Sequence, residues 1–117
     1  MTLYDDIGGS AAVNAAVDLF YEKVLADDRV KHFFVDVDMS DQRGKQRKFL
    51  AYAFGAPIKY DGKDLRSAHA GMKLTEEHFN AIAEHLRATM EDLSVPSELI
   101  DQAIEIVAGT HDDVLNL

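Results

Sequence analysis

The residues of this chain that can do chemistry are few. Five histidines are present and no cysteine, so disulfides, iron–sulfur clusters and zinc–thiolate sites are ruled out. A site built on several histidines is disfavoured by spacing. His78 and His85 share one face of an expected helix, but a rise of about 1.5 Å per residue sets them roughly 10 Å apart, too far for one ion. No HExxH, no Glu-x-x-His pair and no Gly-x-Ser-x-Gly elbow occurs. One cofactor needs only a single histidine. Haem carries four nitrogens in its own ring and takes one axial ligand from the protein. His69 suits that role, because it lies between Ala68 and Ala70 and is followed by Gly71, which lets a flat ring approach closely.

A second constellation lies upstream. Gln42, Gln46, Phe49 and Ala53 recur at i, i+4, i+7 and i+11, with Lys45 adjacent. They form one helix face, amide-rich at one end and apolar at the other. Amides turned into a pocket need partners, and a polarised diatomic ligand on iron is such a partner. Tyr21, beside Phe20, adds a phenol donor. Two plainer readings stand beside these. A lone histidine is more often structural than ligating, and Gln42 and Gln46 suit a solvent boundary equally well. His32, His78 and His85 take the structural reading, at the surface or at a helix boundary.

These residues must be positioned by helices, since the periodicity is helical nearly throughout. Gly8 and Gly9 break the chain ahead of Ser10, the expected N-cap of a first helix with Val13, Val17, Phe20 and Val24 as its apolar stripe. DRVKHFFVDVDM reads as a short helix and loop or a poor strand. Ser40 is the expected cap of a second helix, 41 to about 54, ending at Gly55-Ala56-Pro57. The stretch 58–68 reads as loop with at most one helical turn. Thr75 caps a third helix striped by Phe79, Ile82, Ala83, Leu86, Met90 and Leu93. Pro96 opens a fourth with Ile100, Ala103, Ile104, Val107 and Val114 facing inward. The expected architecture is a single all-α domain, 1–117, with about four main helices.

Composition narrows the partners. The chain has 117 residues, 12 basic and 21 acidic, for a net charge of −9. Such a surface repels nucleic acid and anionic lipid. No apolar run is long enough to cross a bilayer. MTLYDDIGG lacks the basic-then-apolar layout of a signal peptide, so the cytoplasm is the expected compartment. The one basic cluster, Arg43, Lys45, Arg47 and Lys48, is either a solvated helix face or a seat for a small anion.

Five stretches, in order, carry a resemblance over nearly the whole length: LYDDIGG, FYEKVLADDRVKHFF, DMSDQRGKQRKFLAYAFGAP, DLRSAHAGMKLTEEHF and DVLNL. Together they resemble the truncated, two-on-two haemoglobins of group I. The resemblance implies a truncated globin fold, a two-on-two helical sandwich around haem b. It implies His69 as proximal iron ligand, with Tyr21, Gln42 and Gln46 as distal donors. Phe34 is implied to pack on the haem face and Phe49 to wall the pocket. Lys45, Tyr52, Tyr60, Leu65, Met72, Leu74 and Phe79 complete the implied haem contacts. Arg66 and the 43–48 cations are expected at the propionates.

Implied functions are binding of O₂, NO, CO and cyanide, and oxidation of nitric oxide to nitrate with an external reductase. A redox or electron-transfer protein with Lys45 as sixth ligand is the second reading, and a cofactor-free helical interaction module the third. The chain departs from the family pattern at three places. Ala56 stands where a second glycine is expected, Lys45 replaces a distal histidine of some cyanobacterial relatives, and Thr110 takes the place of their vinyl-bonding histidine. His111 is one position away, about 100° around a helix, so haem is expected to be bound non-covalently.

Overall fold

The computed structural model describes residues 2–60 and 64–117. Residues 61–63 of the expected 58–68 loop lie outside the described residues. Among the described residues seven helices run in the order α1 Leu3–Ile7, α2 Gly9–Leu25, α3 Met39–Ala53, α4 Leu65–Ala68, α5 Glu76–Asp92, α6 Ser97–Ala108 and α7 His111–Leu115. A 3₁₀ turn, Lys31–Phe34, sits between α2 and α3 and resolves the ambiguous DRVKHFFVDVDM stretch. No strand occurs among the described residues. The four long helices form two packed pairs, α2 with α3 and α5 with α6, joined where α2 meets α5. This is the expected two-on-two arrangement.

The core explains why α2 is a helix at all. Its stripe of Val13, Val17, Phe20 and Val24 is buried to 4% exposure or less. Valine is a modest helix former, costing up to about 0.7 kcal/mol each relative to alanine. Full burial of each such side chain is worth about 1.5–3 kcal/mol, so packing outweighs propensity. Leu50 and Phe54 cover this stripe from the α3 side, Ala81, Leu86 and Met90 from α5, and Ile100 and Ala103 from α6.

Several boundaries differ from the sequence expectation. Ser10 is not a cap. α2 starts two residues earlier than a Ser10 cap would place it, behind Gly8, whose φ of 129° no ordinary side chain adopts comfortably. The short α1 was not anticipated. Thr2 and Asp5 form a reciprocal capping box that starts it, and Tyr4 N–H donates to Phe54 O at 2.8 Å, which pins it to the end of α3. Asp38, not Ser40, caps α3, because its carboxylate accepts from the N–H groups of Ser40 and Asp41. Val114 belongs to α7 rather than α6, since Thr110 Oγ1 donates to Val107 O at 2.6 Å and closes α6. Leu93 lies beyond the end of α5 and is 39% exposed rather than inward-facing.

The altered glycine pair has a simple account. Gly55 has φ 100°, and a Cβ there would meet Thr2 Cβ at 3.0 Å, so glycine is required at this position. Ala56 is merely buried, and its N–H donates to Ala51 O, which ends α3 without a second glycine.

Candidate functional site

α4 is a single turn started by Asp64, whose carboxylate accepts from Ser67 N–H at 2.8 Å. That bond holds the Asp64 carboxyl below its usual value. His69 is the residue that ends this turn. Its Nδ1 lies 2.7 Å from Leu65 O, so Nδ1 carries the proton and donates to the carbonyl. Nε2 is then a bare lone pair, and it has no hydrogen-bond partner among the described residues. A fixed tautomer with the other nitrogen free is how a metal-ligating histidine is prepared. Met72 N–H donates to His69 O, closing a turn in which Gly71 takes φ 80°. Nothing stands within 4 Å of where a Gly71 Cβ would be, so the space beside the turn is open.

The second constellation is carried by α2 and α3. Gln42 Nε2 donates to Tyr21 Oη at 3.0 Å. Tyr21 is 2% exposed, with the edges of Phe20 and Phe34 against its ring. Burial pushes the phenol above its ordinary pKa, while Gln42 and Arg43 pull the other way. The hydroxyl therefore stays protonated, with its oxygen occupied and its proton available. Gln46 follows one turn after Gln42 and is half-buried. Phe49 packs edge-on against Tyr60, and Tyr60 stacks on the half-exposed Tyr52.

The burial pattern tests whether a flat apolar group fits. Phe34, Gln42, Gln46, Phe49, Tyr60, Leu65, His69, Met72, Leu74 and Phe79 are all half-buried, neither in the core nor in solvent. α3 packs chiefly on α2, and α4 packs on α7. Aromatic and apolar side chains left half-covered on separate elements offer apolar surface that a further group could cover. Haem matches it, with apolar faces for the rings and an iron for the free Nε2. A cavity of about 190 Å³ lined by Ile7, Val13, Leu50, Phe54, Leu86 and Met90 lies elsewhere and touches none of these site residues.

The basic cluster divides. Arg43 and Arg47, one turn apart, both reach Asp18 on α2. Lys45 is exposed and has no ion pair among the described residues. Arg66 Nη2 meets Asp113 Oδ1 at 3.2 Å and Leu117 O at 2.9 Å, partners 47 and 51 residues away that no local pattern announces. Among the structural histidines, His32 is exposed and His78 caps α5 by accepting from Thr75 N–H. His85 departs from expectation. It is only 17% exposed and bonds Asp27 at 2.6 Å, and Asp27 is also held by Arg29.

Known proteins resemble the chain over nearly its full length. The family model of bacterial-like globins matches residues 2–116. The group 1 truncated hemoglobin of Synechocystis sp. is 51% identical, over 98% of this chain and 98% of its own. That of Tetrahymena thermophila is 46% identical, over 97% of this chain and 94% of its own. The crystal structure of the Tetrahymena pyriformis truncated hemoglobin, Fe(III) form, superposes with a TM-score of 0.95 at 46% identity, covering 98% of each chain. The 2/2 hemoglobin of Synechococcus sp., in the cyanomet state and with covalently attached heme, superposes equally well, at a TM-score of 0.95 and 45% identity over 100% of both chains. A free histidine nitrogen, a buried Tyr–Gln pair, an uncovered apolar lining and near-full-length similarity converge: the chain belongs to the bacterial-like globins and, within them, to the group 1 truncated haemoglobins.

Proposed function

We propose that His69 Nε2 is the proximal iron ligand of a haem b, and that Tyr21, Gln42 and Gln46 hold diatomic ligands on the other side. As a member of its family the chain is a haem globin that binds small diatomic ligands. The observation that carries the assignment to His69 is its fixed tautomer, with Nδ1 spent on Leu65 O and Nε2 unpartnered. Haem supplies the iron that binds the ligand. The chain supplies the donors. A ligand that gains negative charge on binding is favoured by the Tyr21 proton, and a hydrogen bond to such a partner is about twice as strong as a neutral one. Gln42 fixes where that proton points. O₂, NO, CO and cyanide are the ligands this site suits.

The finer activity we assign is oxidation of nitric oxide to nitrate, in which NO and O₂ combine with one electron from a separate reductase. Phe34, Phe49, Tyr52, Tyr60, Leu65, Met72, Leu74 and Phe79 are the side chains that would wall the cofactor. Arg66, Lys45 and Lys48 are the cations for its propionates. The reading treats 1–117 as one domain in the cytoplasm. No helix of the described residues is long and apolar enough to cross a membrane.

Haem is held non-covalently in this reading. The Synechococcus relative has covalently attached heme. Here Nδ1 of His111 is engaged by Asp112 and Nε2 by Glu76, so neither nitrogen is free for a vinyl group. The test is a visible spectrum of the purified protein, ferric and ferrous, with and without CO, followed by acid methyl-ethyl-ketone extraction. A Soret band, its loss in His69→Ala, and complete removal of colour from the protein phase are expected. Unchanged haem content in His69→Ala would overturn the ligand assignment.

A second reading is favoured by the unpaired state of Lys45 beside Gln42 and Gln46, while its neighbours Arg43 and Arg47 are tied to Asp18. In it the protein is a redox or electron-transfer haem protein and Lys45 Nζ is the sixth ligand. The ammonium must first lose its proton, because only the neutral amine has a lone pair to give. A low-spin ferric spectrum that grows with pH and vanishes in Lys45→Ala supports this reading. The same spectrum in the variant rules it out.

A further inference from the structure

The segment that carries His69 has little to hold it. α4 is one turn long and buries no residue, and a lone turn is far too short to persist by itself. Its packing partner is α7. Arg66, three residues before His69, uses one nitrogen to bind both the Asp113 carboxylate on α7 and the Leu117 backbone oxygen just past it. That oxygen is itself placed, because Asn116 turns left-handed at φ 58° and Leu117 N–H closes back on Asp112 O at 2.9 Å. The other end of α7 is anchored to α5. His111 Nε2 lies 2.6 Å from Glu76 Oε1, and its ring meets the edge of Phe79 at 5.1 Å. Glu76 is the first residue of α5. The segment 69–75, with His69, Gly71 and Met72, is therefore bracketed by α7 at both ends.

We propose that α7 is a strap that sets the orientation of the His69 imidazole, with Asp113 and Glu76 as positioning residues. This rests on the reading of His69 as the iron ligand. The individual ion pairs are exposed and each is weak, but together they are a two-point attachment. They fix the angle of a one-turn helix whose last residue is the ligand. Without those attachments the turn 69–72 and the Nδ1 bond to Leu65 O are what hold that angle, and Gly71 leaves the turn soft. Bonds on the far side of α7 thereby decide how squarely Nε2 faces the iron. Asp113 and Glu76 are outside the lining described above, so their substitution removes no haem-facing side chain and acts through Arg66 and His111, which they hold.

The test uses the ferrous, ligand-free holoprotein. Asp113→Asn, Glu76→Gln and the double variant are compared with the parent by resonance Raman in the iron–histidine stretching region and by amide exchange of α7. Each variant is expected to keep its full haem content, to shift or broaden the iron–histidine band, and to exchange α7 amides up to about fivefold faster, the range an exposed pair allows. Asp113→Glu, which keeps the charge, is expected to restore the parent band. Faster α7 exchange with an unmoved band would overturn the proposal, and so would unchanged exchange in the double variant. In a parent that is five-coordinate by its ferrous visible spectrum, or in Lys45→Ala where the parent is six-coordinate, absence of any iron–histidine band would instead overturn the assignment of His69, and the strap with it.

Discussion

Because Gln42 donates to the Tyr21 oxygen, at 3.0 Å, the phenol is left with one proton to give. Burial keeps that proton on. A hydrogen bond to a charged partner is worth about 1.5–3 kcal/mol, so Tyr21→Phe is expected to speed O₂ dissociation by about 10- to 100-fold. Gln42→Leu should have a smaller effect, since it frees the hydroxyl to rotate but does not remove it. Laser photolysis or stopped-flow mixing measures both, and an unchanged rate in Tyr21→Phe would remove it from the distal site. His69 stood out as a candidate from its own neighbours, because the requirement for small residues around a ring is local. The pairing of Tyr21 with Gln42 was not, because 21 residues separate them. Only the packing of α2 on α3 brings the two together.

At the scale of the element, α3 shows how capping is decided. Asp38 and Ser40 are both good N-caps, and only one residue can hold the position. Asp38 has extended backbone, φ −70° and ψ 104°, while Ser40 is already inside the helix. Asp38→Ala is expected to lower stability by about 1 kcal/mol, whereas Ser40→Ala should change it by less than about 0.5 kcal/mol. Urea unfolding distinguishes the two, and an equal loss in both would contradict the observed cap. The apolar stripe of α2 was readable because its period repeats over eleven residues. Helix ends were not, since one residue of difference changes no periodicity. The short α1 was missed for a related reason: a five-residue helix is stable only through its contact with the end of α3.

At the scale of the molecule, two ionic clusters bind distant elements and respond to pH in opposite directions. Asp27 bonds the Arg29 side chain and backbone and then His85 on α5, and Arg29 above all holds its carboxyl well below the usual 3.8. A depressed carboxyl contributes stability above its unfolded value and loses it as the pH falls. His111 is raised above 6.5, chiefly by Asp112 and next by Glu76. A raised histidine contributes fully below its unfolded value and loses that contribution as the pH rises through the folded one. Stability is therefore expected to be greatest between roughly pH 4 and pH 6.5 and to decline on both sides of that window. Urea midpoints across pH test this. Asp112→Asn should flatten the alkaline decline and Asp27→Asn the acid one. A parent midpoint that rises from pH 6.5 to pH 8 would refute the assignment of sign to His111.

By itself the sequence determined the helical class, the four long helices and the family, and it singled out His69 as a candidate ligand. Each of these rests on a short-range quantity: a repeat of 3.6 residues, a string of motifs in order, or the size of two neighbours. Tertiary structure alone decided which charges are free. Arg43 and Arg47 turn to Asp18, Arg66 to Asp113, and His85 to Asp27, while Lys45 is left without an ion pair among the described residues. The four cations of the 43–48 stretch look alike on paper. A charge is spent or available according to what lies within about 4 Å of it, and in a bundle those neighbours come from helices far away in the chain.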